Sequence, residues 1–297
     1  MLKHWLKAFR LRTLPLALSC IILGSTLAMA DGFFSTSVFV LAVITTIFLQ
    51  ILSNLSNDYG DSVHGADNAE RVGPARTVQS GAITRQQMKK AMILFVVLSL
   101  ISGIALVYEG TKDIDLGYGL FFILLGIVAI AAAIKYTAGK NPYGYRGLGD
   151  LFVFLFFGIV GVTGTYYLHN HELNSTILLP AAAIGFLSTA VLNLNNMRDR
   201  ISDEKAGKRT LVVYLGKDRA KYYHLFLLSA ANICAIAFVL TRYQHPKQLL
   251  FLAILPIHFM NLKKVFSSNN PAALDPELKK IALSTLLFSI LLGSGNL

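Results

Sequence analysis

The chain has few charged residues and few cysteines for its length. Only 14% of its 297 residues are charged, whereas 54% are hydrophobic. This balance excludes an ordinary soluble domain, because the apolar side chains exceed what one core can hold. Cys20 and Cys234 lie in separate apolar stretches with no partner at ligand spacing, which excludes a disulfide framework or a zinc site. We therefore predict an integral membrane protein with a single domain over 1–297.

Apolar stretches long enough to cross a hydrocarbon layer, roughly 17–25 residues each, occur nine times. They lie at about 12–30, 35–56, 91–108, 117–136, 148–168, 176–196, 222–241, 247–263 and 280–296. The predicted fold class is an all-α polytopic bundle of nine transmembrane helices. Residues 1–30 also have the basic start and apolar stretch of a secretory signal, but the stretch is longer than a typical signal core. We expect it to remain as the first helix.

The basic residues alternate between the two faces of this bundle. Of the 27 Lys and Arg residues, 24 fall in the amino-terminal arm and every second loop, and only Lys112, Arg242 and Lys247 fall on the other face. Because short cytoplasmic loops carry the basic excess, nine crossings with a cytoplasmic amino terminus fit this pattern. The sequence predicts a multi-pass protein of the inner (cytoplasmic) membrane.

A formal net charge of +11 could indicate nucleic acid, but no basic-aromatic RNA-binding motif is present. Attraction to an anionic leaflet and to an anionic substrate accounts for the charge instead. We therefore expect the lipid bilayer as a partner and no nucleic acid.

Two acidic clusters stand where long apolar segments end. The first is Asn57-Asp58-Tyr59-Gly60-Asp61 with Asp67, and the second is Asn195-Asn196-Met197-Arg198-Asp199 with Asp203. Each contains an Asn and an Asp four residues apart, and such residues share one stripe of a helix. The tetrapeptides that precede them, Asn54-Leu55-Ser56-Asn57 and Asn193-Leu194-Asn195-Asn196, also resemble each other, which suggests two similar halves.

Hard cations such as Mg²⁺ are commonly held by one or two carboxylates together with substrate phosphates. Asp61 and Asp199 could bring such ions to one diphosphate. Lys and Arg in the adjoining loops suit the remaining phosphate charge. These residues are Arg71, Arg76, Lys140, Lys208 and Arg209. The sequence predicts a site for Mg²⁺ and a diphosphate at the cytoplasmic face.

A structural alternative exists for each of these residues. Asp and Arg at helix ends also cap helices or anchor a bundle at the headgroups, and carboxylates are disfavoured near the bilayer centre in any case. Asp58 is either a ligand or an outward-facing cap. Asp150 could serve only as a favourable charge at the amino-terminal end of the fifth helix. The aromatic and glycine-rich segment 136–150 either borders an aromatic acceptor or forms an interfacial belt.

The motifs together resemble those of the UbiA family of intramembrane prenyltransferases, over nearly the whole chain. The resemblance rests on Asn54–Asp61, on Gly65-Ala66-Asp67, on Arg71-Val72-Gly73-Pro74-Ala75-Arg76, on the segment from Tyr136 through Lys140 and Arg146 to Asp150, and on Asn195 through Asp203 to Lys208-Arg209-Thr210-Leu211. It implies a central cavity open to lipid, in which Mg²⁺ on both motifs holds a polyprenyl diphosphate. The family often has a further acid at the position of Gly65, whereas here Asp67 follows two places later.

The resemblance points to the naphthoate branch of the family, in menaquinone biosynthesis. It implies prenyl transfer to 1,4-dihydroxy-2-naphthoate with loss of carbon dioxide. The metal ligands would come from Asn57, Asp58, Asp61, Asp67, Asp199 and Asp203, and the substrates would contact Arg71, Arg76, Tyr136, Lys140, Arg146, Asn195, Lys208 and Arg209. The alternatives are another aromatic acceptor, such as 4-hydroxybenzoate, and a membrane transporter. Transporters usually place their polar groups near the midplane, unlike these acids. CDP-alcohol phosphotransfer lacks support, since no Asp-Gly-x-x-Ala-Arg pattern occurs.

Overall fold

The computed structural model describes residues 1–65, 72–73 and 76–297. Asp67 and Arg71 from the predicted site lie outside the described residues. Within the described part, regular structure is helical throughout, and nine helical segments are long and apolar enough to cross a membrane. These segments are Leu2–Ala30, Thr36–His64, Arg85–Thr111, Leu116–Lys135, Gly149–Asn170, Ser175–Lys205, Leu211–Thr241, Pro246–Ser267 and Pro271–Gly295.

Several crossings consist of more than one helix. The helices are α1 Leu2–Phe9, α2 Leu14–Ala30, α3 Thr36–His64, α4 Arg85–Thr111, α5 Leu116–Lys135, α6 Gly149–Val153, α7 Gly164–Asn170, α8 Leu178–Lys205, α9 Leu211–Thr241, α10 Leu255–Ser267 and α11 Asp275–Gly295. Between α6 and α7, Phe154–Thr163 forms a π-helical stretch. The predicted bundle of nine crossings is confirmed for the part of the chain that the structure describes.

Helix α8 lies at the centre of the bundle. It packs against α9, α11, α2 and the π-helical stretch, and its inward face is buried from Pro180 to Asp203. The apolar core around it is drawn mainly from α2, α8, α9 and α11. By contrast, few residues of α5 are buried, so most of its apolar surface is available to lipid. A smaller core joins α1 to α3 and α4.

Close backbone contact fixes the π-helical stretch against α8. A Cβ atom on Gly158 would lie 2.5 Å from the Gly185 Cα and 2.7 Å from the Ala181 carbonyl oxygen. Only glycine allows this approach. The packing aligns the fifth crossing with α8, the helix that carries the second acidic cluster.

Helices α3 and α8 both continue past their apolar segments. Helix α3 ends at His64, where Gly65 adopts a left-handed conformation with φ 74°, a common way to end a helix. Helix α8 ends at Lys205. The segments Asn57–Asp61 and Asn195–Asp203 are therefore helical, and Asn195, Asp199 and Asp203 follow one another at helical spacing as predicted. We call the end of the bundle that carries Asp61 and Asp199 the aspartate end.

Helix α1 lies at the aspartate end and precedes α2 within the first crossing. Its chain turns sharply into α2 at Arg10, whose φ is 48°. The Asn54 side chain holds this turn, since its amide donates to the Phe9 carbonyl at 2.9 Å and to the Thr13 hydroxyl at 3.0 Å. The first asparagine of the repeated tetrapeptide thus anchors the amino-terminal arm. Its counterpart Asn193 donates to the Ala220 carbonyl at 3.2 Å, which anchors α9.

Candidate active site

The first acidic cluster is organised by Arg76. Its guanidinium lies 2.5 Å from Asp61 through Nη2 and 3.4 Å from Asp58 through Nη1. All three side chains are nearly inaccessible to solvent. A buried carboxylate needs such charge-assisted partners to remain ionised. Arg76, one of the cations that the sequence predicts to contact phosphate, thus lies beside the carboxylates of the first cluster.

Asp58 is fully engaged by protein groups. Its Oδ1 accepts from the Arg10 guanidinium at 2.5 Å, and its Oδ2 accepts from the Thr77 hydroxyl at 2.8 Å and the Thr77 backbone N–H at 3.3 Å. These contacts tie α3 to the amino-terminal arm and to the segment that follows Arg76. The geometry makes Asp58 a buried tether between these elements and not the outward-facing cap that the sequence allowed. Its role as a metal ligand stays a proposal.

Asp61 has a second partner from the segment between the fourth and fifth crossings. The Tyr145 hydroxyl donates to Asp61 Oδ1 at 2.8 Å. Burial, followed by the charge of Asp61 and this hydrogen bond, raises the pKa of Tyr145 far above its ordinary value. Tyr145 therefore stays a neutral donor. The same segment contacts Asn57, whose Oδ1 lies 3.0 Å from the Thr137 hydroxyl.

Tyr145 and Lys208 connect the two acidic clusters. The Lys208 ammonium lies 5.5 Å from the centre of the Tyr145 ring and 3.4 Å from Asp203 Oδ1. A continuous path thus runs from Asp61 on α3 through Tyr145 and Lys208 to Asp203 on α8. The structure brings the two clusters together at one place.

Tyr136 lies beside the same group of acids. Burial and the charges of three carboxylates raise its pKa above the ordinary value. These carboxylates belong to Asp150, Asp61 and Asp203. Asp150 itself is buried on the first turn of α6 and accepts a hydrogen bond from Tyr223. Asp150 is therefore a buried, hydrogen-bonded member of this group and not simply an exposed charge at the start of a helix.

The second cluster is organised by Arg198. This residue stands within the motif, but the sequence analysis assigned it no role. Its Nε and Nη2 atoms donate to the two oxygens of Asp199, at 3.0 and 2.6 Å. Nη2 also donates to Asn195 Oδ1 at 2.9 Å, and Nη1 donates to Asp275 Oδ1 at 2.5 Å. Arg198 is 3% exposed, so this arrangement is shielded from water.

Three of the predicted cations, Lys140, Arg146 and Arg209, are exposed, whereas Arg76 and Lys208 are buried. The backbone N–H of Arg209 donates to the Tyr145 carbonyl at 3.0 Å, so the loop after α8 packs on the tyrosine segment. Sequence reasoning missed Arg10, Thr77 and Asp275 because no local motif marks them. Tyr145 had a signal, since it stands in the aromatic and glycine-rich segment.

A cavity of about 320 Å³ lies between the arm and the two clusters. Basic side chains dominate its polar lining, together with Asp58 and Asn195. The basic residues are Lys7, Arg10, Arg12, Arg76 and Arg198. Such a lining favours an anion.

The donor chemistry of the site suits Mg²⁺, although the described residues contain no cluster of three or more His, Cys, Asp or Glu side chains that could hold a metal by themselves. Mg²⁺ is usually held by one or two carboxylates plus substrate phosphates, so a complete protein cage is not expected. Asp203 Oδ2 and Asn196 Oδ1 are buried and have no hydrogen-bond partner among the residues that the structure describes. Asn196 shares its helix face with Asp199 and Asp203 through its spacing of three and seven residues. These oxygens are of the kind that Mg²⁺ requires.

An aromatic row extends from this site along the fifth crossing. Tyr143 lies between Tyr136, at 5.4 Å between ring centres, and Phe152, at 4.1 Å. Phe156 follows Phe152 at 6.1 Å. Phe156 belongs to the π-helical stretch, and such stretches are frequent at functional sites. The row offers an apolar wall with π-electron density beside the carboxylates.

The comparisons with known proteins agree with this architecture. The family model described as the UbiA prenyltransferase family matches residues 17–284. The chain is 45% identical to the 1,4-dihydroxy-2-naphthoate octaprenyltransferase of Haemophilus influenzae, over 100% of this chain and 96% of the relative. It is also 45% identical to the Escherichia coli protein of that name, over 97% and 92%, and 32% identical to the one from Mycobacterium tuberculosis, over 97% and 94%.

Solved structures share the fold at lower identity. A UbiA homologue from Archaeoglobus fulgidus, bound to GPP and Mg²⁺, is 18% identical with a TM-score of 0.65, over 98% of this chain and 99% of that one. The apo structure of a homologue from Aeropyrum pernix is 17% identical with a TM-score of 0.68, over 95% and 96%. With its nine-span bundle and a family match over most of its length, this chain belongs to the UbiA prenyltransferase family.

Proposed function

We propose that this protein transfers a polyprenyl group from its diphosphate to 1,4-dihydroxy-2-naphthoate. The observation that carries the proposal is the convergence of Asp61 and Asp203 on one buried site through Tyr145 and Lys208. The names of the relatives that are 45% identical supply the acceptor. The whole of 1–297 would act as one domain, of which the family model covers 17–284.

Mg²⁺ would be held by oxygens of Asp61, Asp199 and Asp203, with Asn57 and Asn196 as further candidates. When bound, it would offset the charge of the diphosphate and make it a better leaving group. Support comes from the oxygen donors of the site and from the solved homologue bound to GPP and Mg²⁺. Asp67 remains a proposed ligand that lies outside the described residues.

The chain's own cations would stabilise the departing diphosphate. The Arg76 guanidinium and the Lys208 ammonium stand beside the carboxylates, and fixed charges in a site with little water act strongly on developing charge. The exposed Lys140, Arg146 and Arg209 would add longer-range attraction, and Arg71, which lies outside the described residues, remains a proposed phosphate contact. As the allylic C–O bond breaks, its electron pair leaves with the diphosphate.

The aromatic row would accommodate the allylic group. Tyr136, Tyr143 and Phe152 present faces that can stabilise a carbocation by cation–π contact, and burial keeps water away from it. A carbon of the electron-rich naphthoate ring then forms the new C–C bond. The carboxylate would then leave as carbon dioxide, and any proton released at the attacked carbon would be returned where the carboxylate stood, so the ring loses no net proton.

The site would lie on the cytoplasmic side of the membrane. The support is the placement of 24 of 27 basic residues at the aspartate end, which is the expected bias for cytoplasmic loops. An anionic leaflet there would also attract the basic arm.

The test is a transfer assay on the purified protein in detergent, with Mg²⁺ and a polyprenyl diphosphate. We expect prenylated product from 1,4-dihydroxy-2-naphthoate, little from 4-hydroxybenzoate, and none after EDTA treatment. A preference for 4-hydroxybenzoate would show that the acceptor is wrong, while prenyl transfer to an aromatic ring would still stand. Flux of substrate into liposomes without any product would contradict prenyl transfer.

A further inference from the structure

Asp275 stands outside both acidic motifs, 77 residues along the chain from Arg198. It is the first residue of α11, in the ninth crossing. Its Oδ1 accepts from Arg198 Nη1 at 2.5 Å. Its Oδ2 lies 3.9 Å from the Arg12 guanidinium, and that pair is about half exposed, so water screens it. Arg198 is therefore its principal partner.

The Arg198 guanidinium distributes its donors among three acceptors. Nε and Nη2 hold the two oxygens of Asp199, Nη2 also reaches Asn195, and Nη1 reaches Asp275. Because a guanidinium is planar and rigid, a partner that fixes Nη1 also fixes the direction of Nε and Nη2. The contact with Asp275 thus determines how Arg198 faces Asp199.

Packing leaves little room for another orientation of this side chain. A Cβ atom on Gly73 would lie 2.6 Å from Arg198 Nη2, so the chain at Gly73 closes against the guanidinium. Arg198 is therefore confined both by this backbone and by Asp275.

The charge of Asp275 also affects how strongly Arg198 attracts Asp199. If Asp199 were the one carboxylate beside Arg198, it would receive the full attraction of the guanidinium, which competes with a divalent cation for the same oxygens. A second carboxylate on Nη1 shares that attraction. Asp275 therefore leaves Asp199 more able to bind a cation.

We infer that Asp275 is a positioning residue, which acts through Arg198 to set the orientation and cation affinity of Asp199. The inference rests on the proposed function, since it assumes that Asp199 belongs to a Mg²⁺ site. Direct outer-shell partners of metal ligands typically contribute roughly 10–100-fold to metal affinity. Asp275 acts one residue further away, so we expect about three- to ten-fold by the same reasoning.

A purely structural role for Asp275 is the main alternative, because an acid in the first turn also stabilises a helix. Asp275→Asn keeps the shape of the side chain and removes both its charge and its effect on the helix dipole. The Mg²⁺ midpoint distinguishes the two roles, because a loss of helix stability alone lowers the melting temperature without moving that midpoint. Asp275→Ser is a second neutral variant in case the first folds poorly. Asp275→Glu restores the carboxylate, and Asp218→Asn is the matched control, because Asp218 is exposed near the start of α9.

The experiment is a Mg²⁺ titration of the full-length protein in detergent with farnesyl diphosphate and no acceptor, read as the melting temperature. We expect the midpoint Mg²⁺ concentration to rise about three- to ten-fold in Asp275→Asn and Asp275→Ser, and to match wild type in Asp275→Glu and Asp218→Asn. In the transfer assay, excess Mg²⁺ should restore kcat in the two neutral variants.

An unchanged midpoint in the neutral variants, with a clear Mg²⁺ response in wild type, would overturn the inference and leave the proposed function intact. A lower kcat that excess Mg²⁺ does not restore would also overturn it. Failure of wild type to respond to Mg²⁺ would contradict the proposed metal site, and the inference with it. A normal Mg²⁺ response without product from 1,4-dihydroxy-2-naphthoate would contradict the proposed acceptor and leave the metal site and the role of Asp275 standing.

Discussion

At the scale of residues, each acidic cluster is paired with an arginine, one from the segment that follows the motif and one from within the motif. Arg76 holds Asp61 and Asp58, and Arg198 holds Asp199. Removing one member of a buried pair leaves a charge uncompensated. The ion pairs therefore maintain the carboxylates in the ionised form in which they can accept a cation.

Substitution of the central aspartates tests their role directly. Asp61→Asn and Asp199→Asn keep the side-chain shape and remove the charge, so we expect each to lower kcat by about 100-fold or more, as loss of transition-state electrostatics does. The measurement is product formation at saturating Mg²⁺, with folding checked by size-exclusion chromatography. Asp218→Asn should retain wild-type turnover. A folded Asp61→Asn protein with near-normal rates would exclude Asp61 from the site.

Tyr145 predicts a pH dependence of stability. Burial raises its pKa, so between the unfolded value of about 10 and the raised one, the unfolded chain loses a proton that the folded chain keeps. Stability is therefore fully present below about pH 10 and falls as the pH rises further. We expect Tyr145→Phe to make this alkaline decline in melting temperature shallower.

The control for this measurement is Tyr108→Phe, which changes a tyrosine that is 68% exposed. It should leave the alkaline decline as in wild type. An equally steep decline in Tyr145→Phe and wild type would show that Tyr145 does not remain protonated in the fold.

At the scale of elements, the sequence predicts the centres of the helices well and their ends poorly. The nine apolar segments are evident from composition, since only helices satisfy the backbone in lipid at such length. The ends are not evident, because α3 and α8 continue through polar residues whose helical state depends on buried ion pairs. The extension of α8 to Lys205 places Asp203 on the helix.

The π-helical stretch leaves no local trace in the sequence. Its residues, Phe154–Thr163, are mostly apolar and do not differ in kind from those of an α-helix. It depends on packing between crossings, which hydrophobic periodicity does not report. The break in α9 at Gly216, with φ 76°, does have a local signal, because glycine adopts this conformation readily and the charged residues Lys217-Asp218-Arg219 follow it.

The contact of Gly158 with α8 gives a prediction at this scale. Gly158→Ala places a methyl group against Gly185 and Ala181, and overpacking of this kind typically costs about 1–3 kcal/mol. We expect a lower melting temperature and lower activity, since the aromatic row belongs to the same crossing. Gly126→Ala is the control, because a Cβ there meets nothing within 4 Å. Equal stability of the two variants would contradict the close packing.

At the scale of the whole molecule, the family and the nine-span bundle could be predicted from the sequence, and both are confirmed. The long-range pairs could not, since Arg10 and Asp58 are 48 residues apart and Arg198 and Asp275 are 77 apart. No local pattern specifies which distant cation neutralises which buried acid. The ligand roles of the individual residues stay predictions.

Sidedness is a second prediction for the whole molecule. In a variant without Cys20 and Cys234, we expect a cysteine at Glu172 to react with an impermeant maleimide in intact cells. A cysteine at Asp218 should react only after the membrane is opened, because it lies at the basic end of the bundle. The reverse pattern would place the aspartate end outside the cytoplasm.

The central claim is that α3 and α8 contribute to one Mg²⁺ and diphosphate site. The most direct measurement is Mg²⁺-dependent binding of a non-reactive prenyl thiodiphosphate to wild type, Asp61→Asn and Asp203→Asn, by calorimetry in detergent. The account predicts that wild type binds one ligand per chain and that each single variant loses most of the affinity. Undiminished Mg²⁺-dependent binding in either folded variant would contradict it.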